Sequence, residues 1–119
     1  MVGLFSHPKR HLRKLLQKGE YPEAIAYGKG LESEYSDDHD FMFIMGSIYS
    51  IVEDPEKALP YFKKAFELDN NDVETLTLKT NAHLALEQKD EAIDCCKQII
   101  KLDPKNIEAQ ELLEKLENL

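Results

Sequence analysis

The hydrophobic residues of this chain recur at helical spacing in short segments that polar breaks separate. In the middle of the chain, apolar side chains follow the spacing of an amphipathic helix at Phe41, Met42, Met45, Ile48, Tyr49 and Val52. After a break, a second apolar stripe comprises Ala58, Leu59, Phe62, Ala65, Phe66 and Leu68. The break contains Asp54, which can cap a helix, and Pro55, which suits a first helical turn. The pattern therefore predicts two helices joined by a tight turn.

The same spacing predicts about seven helices along the whole chain. They are expected at residues 8–18, 21–34, 38–52, 55–68, 72–87, 89–102 and 106–118. The last helix has one apolar stripe, formed by Ala109, Leu112, Leu113, Leu116 and Leu119, and its other side is polar. A helix of this kind packs one face on the protein and leaves the other in water, so we expect it to cap the fold.

The two-helix pattern repeats with a period of 34 residues. The segment EKALPYFKKAFELDNND (56–72) returns as DEAIDCCKQIIKLDPKN (90–106), which places Ala92 at the position of Ala58. An earlier copy of the motif lies at residues 21–25. Because a single helical hairpin cannot bury its apolar face, the copies are expected to stack on one another.

The residues within each copy resemble the tetratricopeptide repeat. The resemblance is carried by Met42-x2-Met45-Gly46-x2-Tyr49, by Ala58-x3-Phe62, by Ala92-x3-Cys96 and by Pro104. It implies an all-α fold, a superhelix (solenoid) of antiparallel helix pairs with about seven helices. It also implies a single domain over residues 1–119, with repeats at about 5–38, 39–72 and 73–106 and a capping helix at 107–119.

The first copy departs from this pattern at two positions. Leu12 stands where the second copy has Gly46, and Gly28 stands where it has Phe62. A glycine inside a helix costs about 1 kcal/mol relative to alanine, so we expect a loosely packed end unit. The alternative is that this end opens or is completed by a partner.

Charge is distributed unevenly along the chain. Residues 1–19 carry five basic residues and no acid, whereas the remainder holds 10 basic and 23 acidic residues, so a net −13 follows a net +5. An acidic chain repels nucleic-acid phosphates, so we expect no nucleic-acid partner. No apolar stretch is long enough to cross a bilayer, and the first residues lack the pattern of a signal peptide. We therefore expect a cytoplasmic protein without membrane contact.

Candidate catalytic and metal-binding residues are few. His7 and His11 are four residues apart, but Pro8 and basic neighbours disfavour a bound cation. Cys95 and Cys96 are adjacent, and neighbours on a helix point about 100° apart, which excludes an ordinary disulfide between them. No glycine-rich phosphate loop is present. We expect no catalytic activity, no cofactor and no metal.

The resemblance implies that the first helix of each repeat lines a concave groove. On this face the predicted partner-binding residues are Lys9, Arg13, Phe43, Ile44, Ser47, Ile51, Thr77, Asn81 and Leu84, and the cap adds Glu108 and Glu111. The groove should be basic at one end, apolar in the middle and acidic at the other. In the alternative interpretation, Phe43, Ile44 and Ile51 pack against neighbouring repeats and offer no partner site.

These features predict a non-catalytic adaptor or scaffold that binds a peptide or helix of another protein in its groove. In this interpretation Lys9 and Arg13 pair with acidic groups of the partner. The alternative is a self-assembling structural protein that forms a homodimer through the groove or the first repeat. Family members that hold the C-terminal carboxylate of heat-shock chaperones share a Lys-Asn-Asn-Lys-Arg set. The matching positions here are Lys9, Arg13, Ile44, Glu74 and Leu78, so a chaperone tail is not an expected ligand.

Overall fold

A computed structural model describes residues 7–119, which form seven α-helices with short connections. The helices are α1 (Pro8–Gln17), α2 (Tyr21–Lys29), α3 (His39–Ile51), α4 (Pro55–Leu68), α5 (Val73–Ala85), α6 (Lys89–Leu102) and α7 (Ile107–Glu117). This part of the chain contains no β-strand, which confirms the predicted all-α class. The first two residues of the first predicted repeat, 5 and 6, lie outside the described residues.

The helices pack as consecutive pairs that form an elongated stack of 54 × 25 × 22 Å. Each of α1, α3 and α5 packs against the next helix, and the pairs are joined through α2 with α3, α4 with α5 and α6 with α7. Among the described residues, the backbone of α3 also lies close to those of α1 and α5, whereas the backbone of α4 lies close to neither α2 nor α6. The helices α1, α3 and α5 therefore approach one another more closely than the even-numbered helices do, which places them on the inner side of the stack's curvature.

Side-chain caps fix where the helices begin. The N-terminal caps of α3, α4, α5 and α7 accept hydrogen bonds from backbone N–H groups of the first turn, and these caps are Asp38, Asp54, Asp72 and Asn106. Each satisfies an amide that the helix itself leaves unpaired, a contribution of about 1 kcal/mol. The cap at Asp54 confirms the break predicted between the two central helices.

The helix α2 ends at Lys29, so the prediction that it continues to residue 34 is wrong. Gly28 and Gly30 weaken the helix at this point, and the backbone continues in turns with hydrogen bonds such as Leu31 N–H to Gly28 O, 2.9 Å. The connection that follows is attached to α4 by its side chains. The Tyr61 hydroxyl donates to Glu32, and Lys64 Nζ lies 3.8 Å from Asp37 Oδ1.

Helix pairs approach closely where a small residue faces a large one. Gly46 of α3 faces the buried Phe62 of α4, and a Cβ on Gly46 would lie 2.6 Å from the phenyl ring. In the first pair the sizes are reversed, since the buried Leu12 of α1 lies against Gly28 of α2. Met45 of α3 fills the remaining space beside Gly28. The two departures of the first repeat therefore compensate each other in volume.

None of the helices in residues 7–119 has both the length and the hydrophobicity that a bilayer-spanning segment requires.

We predict that Gly46→Ala destabilises the fold by about 1–3 kcal/mol, because the added methyl group meets a ring that has no room to move. The steric cost exceeds the helix-propensity gain of about 1 kcal/mol that alanine brings, so the net effect is a loss of stability. Urea unfolding followed by circular dichroism measures the change. The control is Gly30→Ala, whose Cβ would have its nearest neighbour at 3.4 Å and should leave stability equal or slightly higher. Equal stability of Gly46→Ala and wild type would contradict this packing.

Candidate functional site

The concave surface formed by α1, α3, α5 and α7 is the candidate site, and we call it the groove. The side chains of Phe43, Ser47, Thr77 and Leu84 are half-buried, whereas Asn81 is exposed. Ile51 is 47% exposed. The centre of the groove therefore offers a mixed surface of apolar and small polar groups.

Ile44 belongs to the core and not to the groove surface, which corrects the sequence prediction. Its side chain is 5% exposed and joins the cluster that includes Met45 and Phe62. Phe43 is intermediate, because its ring lies edge-on to Phe62 at 6.3 Å and close to His39 at 6.3 Å. The interpretation in which these apolar residues pack inside the stack thus applies fully to Ile44, partly to Phe43 and least to Ile51.

The hydroxyl groups of the groove are satisfied within their own helices. Ser47 Oγ donates to Phe43 O at 2.8 Å, and Thr77 Oγ1 donates to Val73 O at 2.9 Å. The exposed Asn81 amide makes no such bond within residues 7–119, so its donor and acceptor groups face solvent. A ligand in the groove would meet one free amide among side chains that are otherwise small or apolar.

Two clefts lie on either side of Asn81. One, of about 150 Å³, lies between α5 and α7 and is lined by Thr77, Asn81, Glu108, Leu112 and the buried Cys96, among others. The other, of about 410 Å³, lies between α3, α4 and α5, and its lining includes Ser50, Pro55, Asn81 and Ala85. Both are concave places on the inner side of the stack where partner side chains fit.

The basic end of the groove is neutralised by the protein's own carboxylates. Lys9 Nζ lies 2.9 Å from Asp38 Oδ2 and 3.8 Å from Asp40 Oδ2. Arg13 Nη2 lies 3.6 Å from Asp40 Oδ2. A basic patch was predicted here because only the cations of α1 were considered. Asp38, which caps α3, and Asp40 place two carboxylates beside these cations.

Acidic side chains at the other end have no such partners. Glu74, Glu108 and Glu111 are exposed, and within residues 7–119 none of them forms a salt bridge. The groove is therefore close to neutral at α1, mixed in the centre and negative at α5 and α7.

Hydrogen bonds between neighbouring odd-numbered helices hold the groove walls together. Asp72, the cap of α5, lies 2.9 Å from His39 Nε2 of α3 and accepts a hydrogen bond from Thr75 Oγ1 at 2.6 Å. Burial opposes ionisation of Asp72, but its hydrogen bonds with Thr75 and His39 outweigh burial and lower its pKa below the ordinary value. Burial likewise opposes ionisation of Asp38, but its hydrogen bonds with Lys9 and the Phe41 N–H outweigh burial and lower the pKa of Asp38.

A carboxyl whose pKa is lower in the folded than in the unfolded state stabilises the fold above its unfolded pKa, near 4. That contribution is lost as the pH falls through the folded pKa. We therefore predict that the free energy of unfolding decreases below about pH 4, and that Asp72→Asn makes this decrease smaller. Urea unfolding at several pH values measures it. Asp94→Asn, at an exposed position on α6, is the control. An acid dependence that Asp72→Asn leaves unchanged would contradict this assignment.

The two cysteines are buried and weakly nucleophilic. Burial raises the pKa of the Cys95 thiol and of the Cys96 thiol, so little of the nucleophilic thiolate forms.

His11 packs edge-on against Tyr27 with ring centroids 4.6 Å apart. Residues 7–119 contain no group of three or more His, Cys, Asp or Glu side chains placed to hold a metal ion.

A family comparison decides what kind of repeat this is. A tetratricopeptide repeat model matches residues 52–116, more than half of the chain. The chain belongs to the tetratricopeptide repeat family. A comparison with curated protein sequences gives no match.

Several solved structures of tetratricopeptide repeat (TPR) domains are similar to this one. The first TPR of Spaghetti (RPAP3) bound to the HSP90 peptide SRMEEVD has a TM-score of 0.82 and 22% identity, over 93% of this chain and 88% of that chain. The second TPR domain of human RPAP3 in complex with the HSP70 peptide SGPTIEEVD has a TM-score of 0.81 and 19% identity, over 92% of each chain. A crystal structure of MamA has a TM-score of 0.85 and 22% identity, over 93% of this chain and 61% of that chain. At these identities the likeness shows a shared TPR fold.

Sequence reasoning missed two features of this TPR groove. It did not pair Lys9 and Arg13 with Asp38 and Asp40, although the acidic run before α3 and the repeat period carried a signal for that contact. It also missed the two clefts beside Asn81, because their volumes depend on how far α3, α5 and α7 stand apart.

Proposed function

We propose that this TPR domain is a non-catalytic interaction module, an adaptor or scaffold that binds a segment of another protein in the groove. The observation that carries the proposal is the exposed Ile51, whose neighbour Ser50 lines the cleft between α3, α4 and α5. Partly exposed apolar side chains next to pockets are typical anchors for a partner. The raised thiol pKa values of Cys95 and Cys96 support a role without catalysis.

Ile51 is the sharpest probe of this function. We predict that Ile51→Glu weakens partner binding by about 1–3 kcal/mol while the stability of the fold changes little, since Ile51 is half exposed. Partner capture from native lysate, followed by titration of the captured protein, measures the loss. Phe43 is a poorer probe because it also contacts Phe62 in the core.

The matched control is Val52→Glu. Val52, the C-cap of α3, is 39% exposed and belongs to the apolar stripe of α3 and not to the predicted groove residues. The Val52→Glu variant should bind the partner as wild type does. A partner that binds wild type and Ile51→Glu equally would overturn the groove as the binding site.

We propose further that chaperone tails are not the ligands, although the two RPAP3 domains are described with such peptides. At the positions matching the carboxylate-holding set, Lys9 already pairs with Asp38, Ile44 is buried and Glu74 is acidic. Glu74 would repel the two carboxylates of the tail, and Lys9 would offset little of this repulsion because it already pairs with Asp38.

We predict no saturable binding of the peptide SRMEEVD up to about 1 mM, an affinity weaker than about −4 kcal/mol. Isothermal titration calorimetry provides the measurement, and an RPAP3 domain serves as the positive control. Micromolar binding to this chain would show that the charge argument is wrong.

Self-association through the groove or the first repeat stays a prediction, as does a cytoplasmic location. The thiols of Cys95 and Cys96 support the latter, since free cysteines suit a reducing compartment.

A further inference from the structure

The cations expected to attract an acidic partner are already occupied. Lys9 and Arg13 face Asp38 and Asp40, so a partner carboxylate would have to displace a contact that the protein makes with itself. Lys9 is also part-buried, which makes its pair with Asp38 stronger than an ordinary surface pair. The electrostatic preference of the groove must come from its other end.

The cleft between α5 and α7 has a mixed lining, in which Thr77, Thr80, Asn81 and Asn106 are polar. Leu112, Ala109 and Ile99 line its interior, and Glu108 is an exposed member of its lining. Glu74 lies one helical turn before Thr77, which also lines the cleft, so its carboxylate is on the same side of α5. Lys115 lies one turn beyond Glu111, but the acids of this end still outnumber it.

A cleft with apolar side chains in part of its lining and the Glu108 carboxylate at its mouth suits a long side chain that ends in a cation. Lysine and arginine bury a methylene stem against apolar surface and keep the charged head group at the rim. Leucine would leave the carboxylates unmatched, and an acidic side chain would be repelled by them. The volume of about 150 Å³ is of the order of a single side chain.

We infer that the groove binds a cationic amphipathic segment of a partner protein. A lysine or arginine of this segment enters the cleft between α5 and α7 and meets Glu108 and Glu74, while an apolar residue lies on Ile51. This inference rests on the proposed function of the groove. It reverses the polarity predicted from the sequence, in which the partner supplied acidic groups to Lys9 and Arg13.

Two short fluorescent peptides test the inference by fluorescence anisotropy. Both contain the same repeated leucines, and the residues between them are lysine in one and glutamate in the other. The lysine peptide should bind wild type with an affinity that falls as the ionic strength rises, and the glutamate peptide should not bind. Equal binding of both peptides, stronger binding of the glutamate peptide or binding of neither would overturn the inference.

Paired variants locate the charge effect. Glu74→Gln with Glu108→Gln should weaken the lysine peptide about tenfold, because both carboxylates lose their charge. The matched control is Glu56→Gln with Glu91→Gln, which removes two exposed acids from the first turns of α4 and α6. It should change the affinity less than about twofold. Equal weakening by both pairs would show attraction to the net charge alone and overturn the site.

The Ile51→Glu variant separates the two proposals. If it weakens capture of the lysate partner while the peptides show no preference for lysine, the groove stands and only the cationic partner is overturned. If it changes no binding at all, the groove itself is overturned.

Discussion

The close approach of paired helices at complementary small and large side chains is the constraint on which the rest of the structure depends. Gly46 admits the Phe62 ring between α3 and α4, and Gly28 admits Leu12 and Met45 between α1, α2 and α3. In the third pair, Thr80 and Cys96 are both of middle size and both buried. In the first two pairs a small residue faces a large one, as a closely packed core requires, whereas Thr80 and Cys96 of the third pair also line the cleft between α5 and α7.

This packing determines what the inner surface can do. Because even-numbered helices take the outer side, the exposed side chains of α3 and α5 face a common concavity, and the clefts beside Asn81 open between them. Hydrogen bonds from Lys9 to Asp38 and between His39 and Asp72 link α1 to the cap of α3 and α3 to the cap of α5. The groove is thus held by contacts that cross repeats, which favours a preformed site over one that a ligand must organise.

Much of the fold follows from the sequence alone. The period of 34 residues, the proline and aspartate breaks and the apolar stripes were enough to predict six of the helices to within two residues, because each is a local signal. The end of α2 was mispredicted because Gly28 and Gly30 were treated as glycines inside a longer helix, whereas the helix ends between them at Lys29. The groove was predicted less well. Burial of Ile44 and neutralisation of Lys9 both depend on neighbours from other repeats, which a pattern within one helix does not show.

The central claim is that a partner occupies the inner face formed by the odd-numbered helices. Site-specific photo-crosslinking tests it most directly, with the crosslinking residue placed either at Asn81 in the groove or at Lys97 on α6. Both positions are exposed, so neither replacement disturbs the core. A partner should crosslink from position 81 and not from position 97. A partner crosslinked from position 97 and absent from position 81 would contradict it.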